Sequence, residues 1–187
     1  MLSLILESKQ PIGDLPVCES LPGYDQVLDN IESLIDDICD WLSEIPGVEF
    51  KVTGFELEWI VDVRVDLSTI VWQVPDVLKA LFESKSVTLD FYEQGVERRL
   101  CFQCHGSQVR IECQDLFGKS EPAITEWMEL SQLMQMLTEF LKTFIHLATI
   151  VCPTIVTHEM FTTWLKKINP LIQIASSIYH AGRNGDG

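Results

Sequence analysis

Apolar residues recur at three- and four-residue steps through 24–45: Val27, Leu28, Ile31, Leu34, Ile35, Ile38, Trp41, Leu42 and Ile45. That spacing predicts an amphipathic helix, closed by Pro46-Gly47. Its opposite face carries Asp25, Asp29, Glu32, Asp36, Asp37, Asp40 and Glu44. The period then shortens to two. Phe55, Leu57, Trp59, Val61, Val63, Val65 and Leu67 alternate with Glu56, Glu58, Ile60, Asp62, Arg64 and Asp66, so 55–67 reads as one long strand with one buried face. Residues 48–53 supply a partner strand, with Gly54 at the turn or a bulge.

A short helix is expected over 75–84, with Pro75 in its first turn and Leu78, Leu81 and Phe82 as its stripe. Strands at 87–92, 96–104 and 109–113 follow as a meander, turning at Glu93-Gln94-Gly95 and His105-Gly106-Ser107. Residues 123–130 read as a last strand or as helix, and Ser131 is the expected cap of a helix running to about 151, stopped by Pro153. A helix over 157–168 is broken at Asn169-Pro170 before a shorter one over 171–180. These elements make one α+β domain over 1–180, with a disordered tail at 181–187. Its sheet is mostly antiparallel, of five or six strands, packed by the N-terminal helix and the C-terminal helices. The expected core holds Ile31, Ile35, Ile38, Trp59, Val61, Val63, Leu89, Phe91, Phe102, Ile111, Leu137, Phe140 and Phe144.

Charge narrows the classes of partner. The 187 residues include 13 basic and 28 acidic ones, a net charge of −15. Nucleic acid and anionic membrane surfaces both select Lys and Arg, so neither is an expected partner. The acids concentrate early: Asp14, Glu19, Asp25, Asp29, Glu32, Asp36, Asp37, Asp40, Glu44 and Glu49 fall between Gln10 and Phe50 without one Lys or Arg. The apolar stretch 130–152 is interrupted by Glu139, Lys142 and His146, which suits a buried helix better than a bilayer span. The N-terminal MLSLILESKQP lacks a secretory pattern, and six cysteines without an export signal suggest reduced thiols. A cytoplasmic location is expected.

The sharpest chemical question is Cys101-Phe-Gln-Cys104-His105, which matches C-x-x-C-H. Haem attachment uses a helix, whereas these flanks read as a hairpin, on which Cys101 and Cys104 point to opposite faces. Cys101, Cys104, His105 and Cys113 are four possible zinc donors, but the chain has one C-x-x-C pair where a zinc ribbon has two. A metal- or thiol-dependent enzyme or redox protein built on those four residues is therefore the runner-up reading. With Leu100 and Phe102, Cys104 reads as a small core residue. His105, His146, His158 and His180 are scattered, and no G-x-S-x-G, H-E-x-x-H, P-loop or dinucleotide fingerprint occurs. No catalytic residue and no cofactor are expected.

Cys39-Asp-Trp41-Leu on a helix, the meander opening Val87-Thr-Leu-Asp-Phe-Tyr-Glu-Gln-Gly95, and a helical end with Trp164-Leu165 give this small acidic chain a texture that resembles the immunity proteins of bacterial toxin systems. The resemblance implies a non-enzymatic inhibitor that binds and neutralises a cognate toxin, often a basic nuclease. The charge pattern gives the same class of partner, a basic protein. The expected binding surface is Asp29, Glu32, Asp36, Asp37, Asp40 and Glu44, supplemented by Glu56, Glu58 and Asp62. A third reading, a subunit of a larger assembly, expects Ile60 and Trp127 to be exposed.

Overall fold

A computed structural model describes residues 1–18, 23–24, 28–91, 98–116 and 124–183, the backbone alone at 57–58 and 176–183. It is α+β, as the periodicities require, but its strands form two antiparallel sheets where one was expected. The first joins β1 (Ser3–Ser8), β2 (Val48–Gly54) and β3 (Leu57–Trp59) in that order. The second joins β4 (Val87–Phe91), β5 (Arg98–His105), β6 (Gln108–Asp115) and β7 (Ile124–Glu129). The expected turn at 93–95 lies outside the described residues, as does 184–187 of the tail expected over 181–187, whereas 181–183 continue the last helix.

The long strand expected over 55–67 does not form. Phe55 and Glu56 take left-handed backbone, φ 57° and 61°, and make the two-residue turn between β2 and β3. After Trp59 the chain leaves the sheet and enters α2 (Asp66–Phe82). Two carboxylates drive that change. Asp66 accepts the Asp62 N–H at 2.9 Å, and Asp62 accepts the Val65 N–H at 2.7 Å, a local exchange that satisfies donors at the helix start. The 3.6-residue period of Leu67, Ile70, Val71, Val74, Leu78 and Leu81, all buried, then takes over. Pro75 consequently lies inside a seventeen-residue helix instead of opening a short one.

Helix α1 spans Ile31–Ser43, starting later than the expected 24–45 because Asn30 caps it. Asn30 Oδ1 accepts from the N–H groups of Glu32 (2.8 Å) and Ser33 (3.3 Å), and the Ser33 hydroxyl accepts from the Asn30 N–H. Residues 25–27 of the expected helix lie outside the described residues. Strand β7 runs straight into α3 (Leu130–Val151), so Ser131 is inside the helix and is not its cap. The Leu130 N–H is met by the Ser107 carbonyl in the β5–β6 turn, 2.7 Å away. One short turn, α4 (Pro153–Val156), precedes α5 (Glu159–Arg183), which passes through Pro170 without the expected break. Asn169 and Pro170 are exposed, while Trp164, Ile168, Ile172 and Ala175 carry the buried stripe across them. Burial on both sides outweighs one lost backbone hydrogen bond.

One core runs through both sheets. Helix α3 packs on β1 and on β7, and also on α1, α2, α4 and α5. Of the expected core, Ile31, Val61 and Val63 are half-buried against it and the other ten are buried. Among the described residues no helix is long and apolar enough to cross a membrane.

Candidate partner-binding face

Helix α1 turns Leu34, Ile35, Ile38, Cys39 and Leu42 into the core. The same geometry leaves Glu32, Asp36 and Asp40 exposed at four-residue steps, with Glu44 exposed at the C-cap. No basic residue lies on the helix. Asp37 is half-buried and accepts the Tyr24 hydroxyl at 2.7 Å. Burial and then that carboxylate push the Tyr24 phenol above its ordinary range.

The loop into α2 brings Asp62 and Arg64 beside this helix. The Arg64 guanidinium donates to Asp40 Oδ1 at 2.8 Å, and Asp40, foremost through that bond, keeps it more firmly protonated than usual, with Glu44 and Asp62 adding to the effect. A cation that the sequence pattern placed on a strand thus sits among Asp40, Glu44 and Asp62. Asp62 is exposed but also holds the start of α2, so its part in the face is shared with a structural one.

The hairpin acids are elsewhere. Glu56 is exposed on the β2–β3 turn, at the far end of β2 from α1, about 20 Å along the strand. The Glu58 side chain lies outside the described residues. The expected nine-residue surface therefore divides: Glu32, Asp36, Asp40, Glu44 and Asp62 belong to one region, Glu56 to another.

Asp29 is half-buried at the mouth of a groove of about 560 Å³ between the N-terminal ends of α1 and α5. Asn30, Ile31, His158, Met160 and Trp164 also line it. His158 opens α5: its Nδ1 accepts the Met160 N–H at 3.4 Å, and its ring lies 5.2 Å from that of Tyr24. Sequence reasoning placed His158 only at a helix start and gave Tyr24 no role, since neither belongs to a motif and only folding brings them together.

The cysteine hairpin forms as expected, but its four donors do not converge. Cys104 pairs with Val109 and His105 with Gln108 near the turn, whereas Cys113 pairs with Leu100, four residues or about 13 Å along the strand. Among the described residues no three His, Cys, Asp or Glu side chains are placed to hold a metal. Burial raises the thiol pKa of Cys101, Cys104 and Cys113, the last to about 11. Raised in this way, these thiols stay protonated at neutral pH, where a nucleophile or metal ligand acts as the thiolate. Cys104 is half-buried against the core.

Ile60, just after β3, is 90% exposed, and Trp127 on the outer face of the second sheet is 51% exposed. The Trp127 ring lies 5.3 Å from that of His105 and is paired in register with Arg110.

No protein-family model, curated protein or solved structure matches the chain.

Proposed function

We propose that this chain is a protein-binding protein that recognises a basic partner through the exposed acids of α1, and that it acts as an immunity-type inhibitor of a basic toxin. One observation carries the reading: Glu32, Asp36, Asp40 and Glu44 line the outer face of a helix that has no basic residue of its own. That arrangement is unfavourable for the helix. Its C-terminal end carries the negative pole of the backbone dipole, where an acid is disfavoured and a cation favoured, and like charges four residues apart repel. A face that costs stability is the kind retained for binding. Complementary charge speeds encounter and rejects wrong partners.

The test is capture by the immobilised chain in low salt followed by a salt step, run beside a Glu32→Lys, Asp36→Lys, Glu44→Lys variant. Asp40 is left intact because it holds Arg64. The wild type is expected to retain a basic protein that high salt releases, and the variant to lose at least tenfold in affinity while its circular dichroism stays unchanged. Equal affinity of both for that protein removes this face. The toxin reading is tested separately: the captured protein should arrest growth when expressed alone and be harmless when co-expressed with this chain.

A further inference from the structure

The segment leading into α1 is tied by its backbone to the end of α3. The Cys18 N–H donates to the Val151 carbonyl at 2.7 Å. Val151 is the last residue of α3, and Cys152 follows as the N-cap of α4. Standard bond lengths then bound the separation of the two cysteines. With an ordinary angle at the hydrogen bond, the path from Cys18 Cα through its N and the Val151 oxygen to Cys152 Cα spans no more than about 6.5 Å. Disulfides use roughly 4.4–6.8 Å between Cα atoms. The side chains converge as well, because the two thiols are in hydrogen-bonding contact. Cys152 is buried, whereas Cys18 is only partly so.

We propose that Cys18 and Cys152 are a redox pair that closes to an intramolecular disulfide when a low-molecular-weight disulfide is the oxidant. Two exchanges accomplish this. The Cys18 thiolate attacks one sulfur of oxidised glutathione, forming a mixed disulfide and releasing one glutathione thiolate. The Cys152 thiolate then attacks Cys18 Sγ; the bond to glutathione breaks, the Cys18–Cys152 bond forms, and the second glutathione leaves. The two cysteine protons end on the two released glutathiones. Two protein thiols are oxidised and one glutathione disulfide is reduced.

The partly exposed thiol meets the oxidant, and the buried one completes the bond from inside. Burial pushes the Cys152 thiol up to about 12, so its thiolate is scarce at neutral pH and closure quickens as pH rises. The bond would pin a segment that already touches α1, since the Pro16 carbonyl accepts the Trp41 Nε1–H at 3.3 Å. The pairing stands independently of the partner reading.

The experiment uses the full chain, purified reduced, exposed to oxidised glutathione at mildly alkaline pH, then acid-quenched, alkylated and digested without reduction for mass spectrometry. Two of the six free thiols are expected to disappear into a Cys18–Cys152 peptide pair. The treated protein should melt at a higher temperature than the reduced one, and dithiothreitol should reverse the shift. Cys18→Ser should lose both the cross-link and the shift, while Cys101→Ser keeps both. A persistent glutathione adduct on Cys18 without a cross-link, a Cys39–Cys152 pair in its place, or six thiols still free would each overturn the proposal.

Discussion

Glu56 holds left-handed backbone (φ 61°) at the second position of a two-residue hairpin turn, where glycine is the favoured residue. Its side chain is exposed. Glu56→Gly is therefore expected to stabilise the protein by about 0.5–1 kcal/mol, relief of the side chain's steric cost outweighing glycine's entropy. Urea unfolding checks it. Phe55, beside it, is the opposite case. Its ring is buried 6.3 Å from that of Trp59, and its N–H donates to Glu126 Oε1 at 2.5 Å, joining the first sheet's turn to the second sheet. Gln73 is a second residue whose role exceeds its type. Its side-chain amide accepts the Asp90 N–H at 2.9 Å and donates to the Asp90 carbonyl at 2.8 Å, occupying the free edge of β4 as another strand would. Gln73→Ala removes these two buried hydrogen bonds together with a third, from Gln73 Nε2 to the Thr69 carbonyl, and is expected to cost about 2–3 kcal/mol. A loss below about 0.5 kcal/mol, within the range of ordinary surface changes, would show that the edge needs no such cover.

At the scale of elements, α1 was legible from its apolar period and from Pro46-Gly47 beyond its end, but its start was not, because Asn30 with Ser33 makes a reciprocal cap where the expected helix ran on. The stretch 55–67 was not. Alternation over thirteen residues is also produced by a turn, a short strand and a helix start laid end to end, and Asp62 and Asp66 are what separate them. The proline boundaries failed for a related reason. In α2 the buried stripe begins ahead of Pro75, which was expected to open the helix, and in α5 it continues past Pro170, which was expected to break it; burying that stripe against the core outweighs the lost backbone bond. For α1 the charge argument makes its own prediction. Glu44→Lys at the C-cap, made in an Arg64→Gln background so that the new cation has no like-charged neighbour there, places a cation at the negative pole and should stabilise the fold by about 0.3–1 kcal/mol relative to that background. Combined with weaker partner binding, that increase would mark the acid as kept for recognition; a destabilised variant would count against the dipole argument.

Across the whole molecule, α3 decides the architecture. Its apolar length comes from packing on both sheets and on four other helices. Its exposed Glu139, Lys142 and His146 mark the side that meets water. Burial of thiols in this body has a pH consequence. Cys39 is fully buried, and its pKa is pushed well above the ordinary value, chiefly by burial and then by Asp36 and Asp40. Below the ordinary thiol pKa the folded and unfolded chains carry the same proton and nothing changes. Above it, from about pH 9, the unfolded chain loses a proton that the folded chain retains, so stability falls as pH rises. The urea midpoint should decline between pH 9 and about pH 11, at up to about 1.4 kcal/mol per pH unit from Cys39. Cys39→Ala should flatten that slope even though it lowers the starting stability; an unchanged slope would assign the effect to other groups.

Periodicity along the chain was enough for the α+β class, the cysteine hairpin, the N-terminal helix and the acid-bearing outer face of that helix, because each follows from local spacing and from which residues water tolerates. Four features were out of its reach: the division of the seven strands among the described residues into two sheets, the insertion of Arg64 among Asp40, Glu44 and Asp62, the separation of Cys113 from Cys104, and the meeting of Cys18 with Cys152. All four join residues whose proximity depends on how buried faces pack against one another, and that is a property of the closed core.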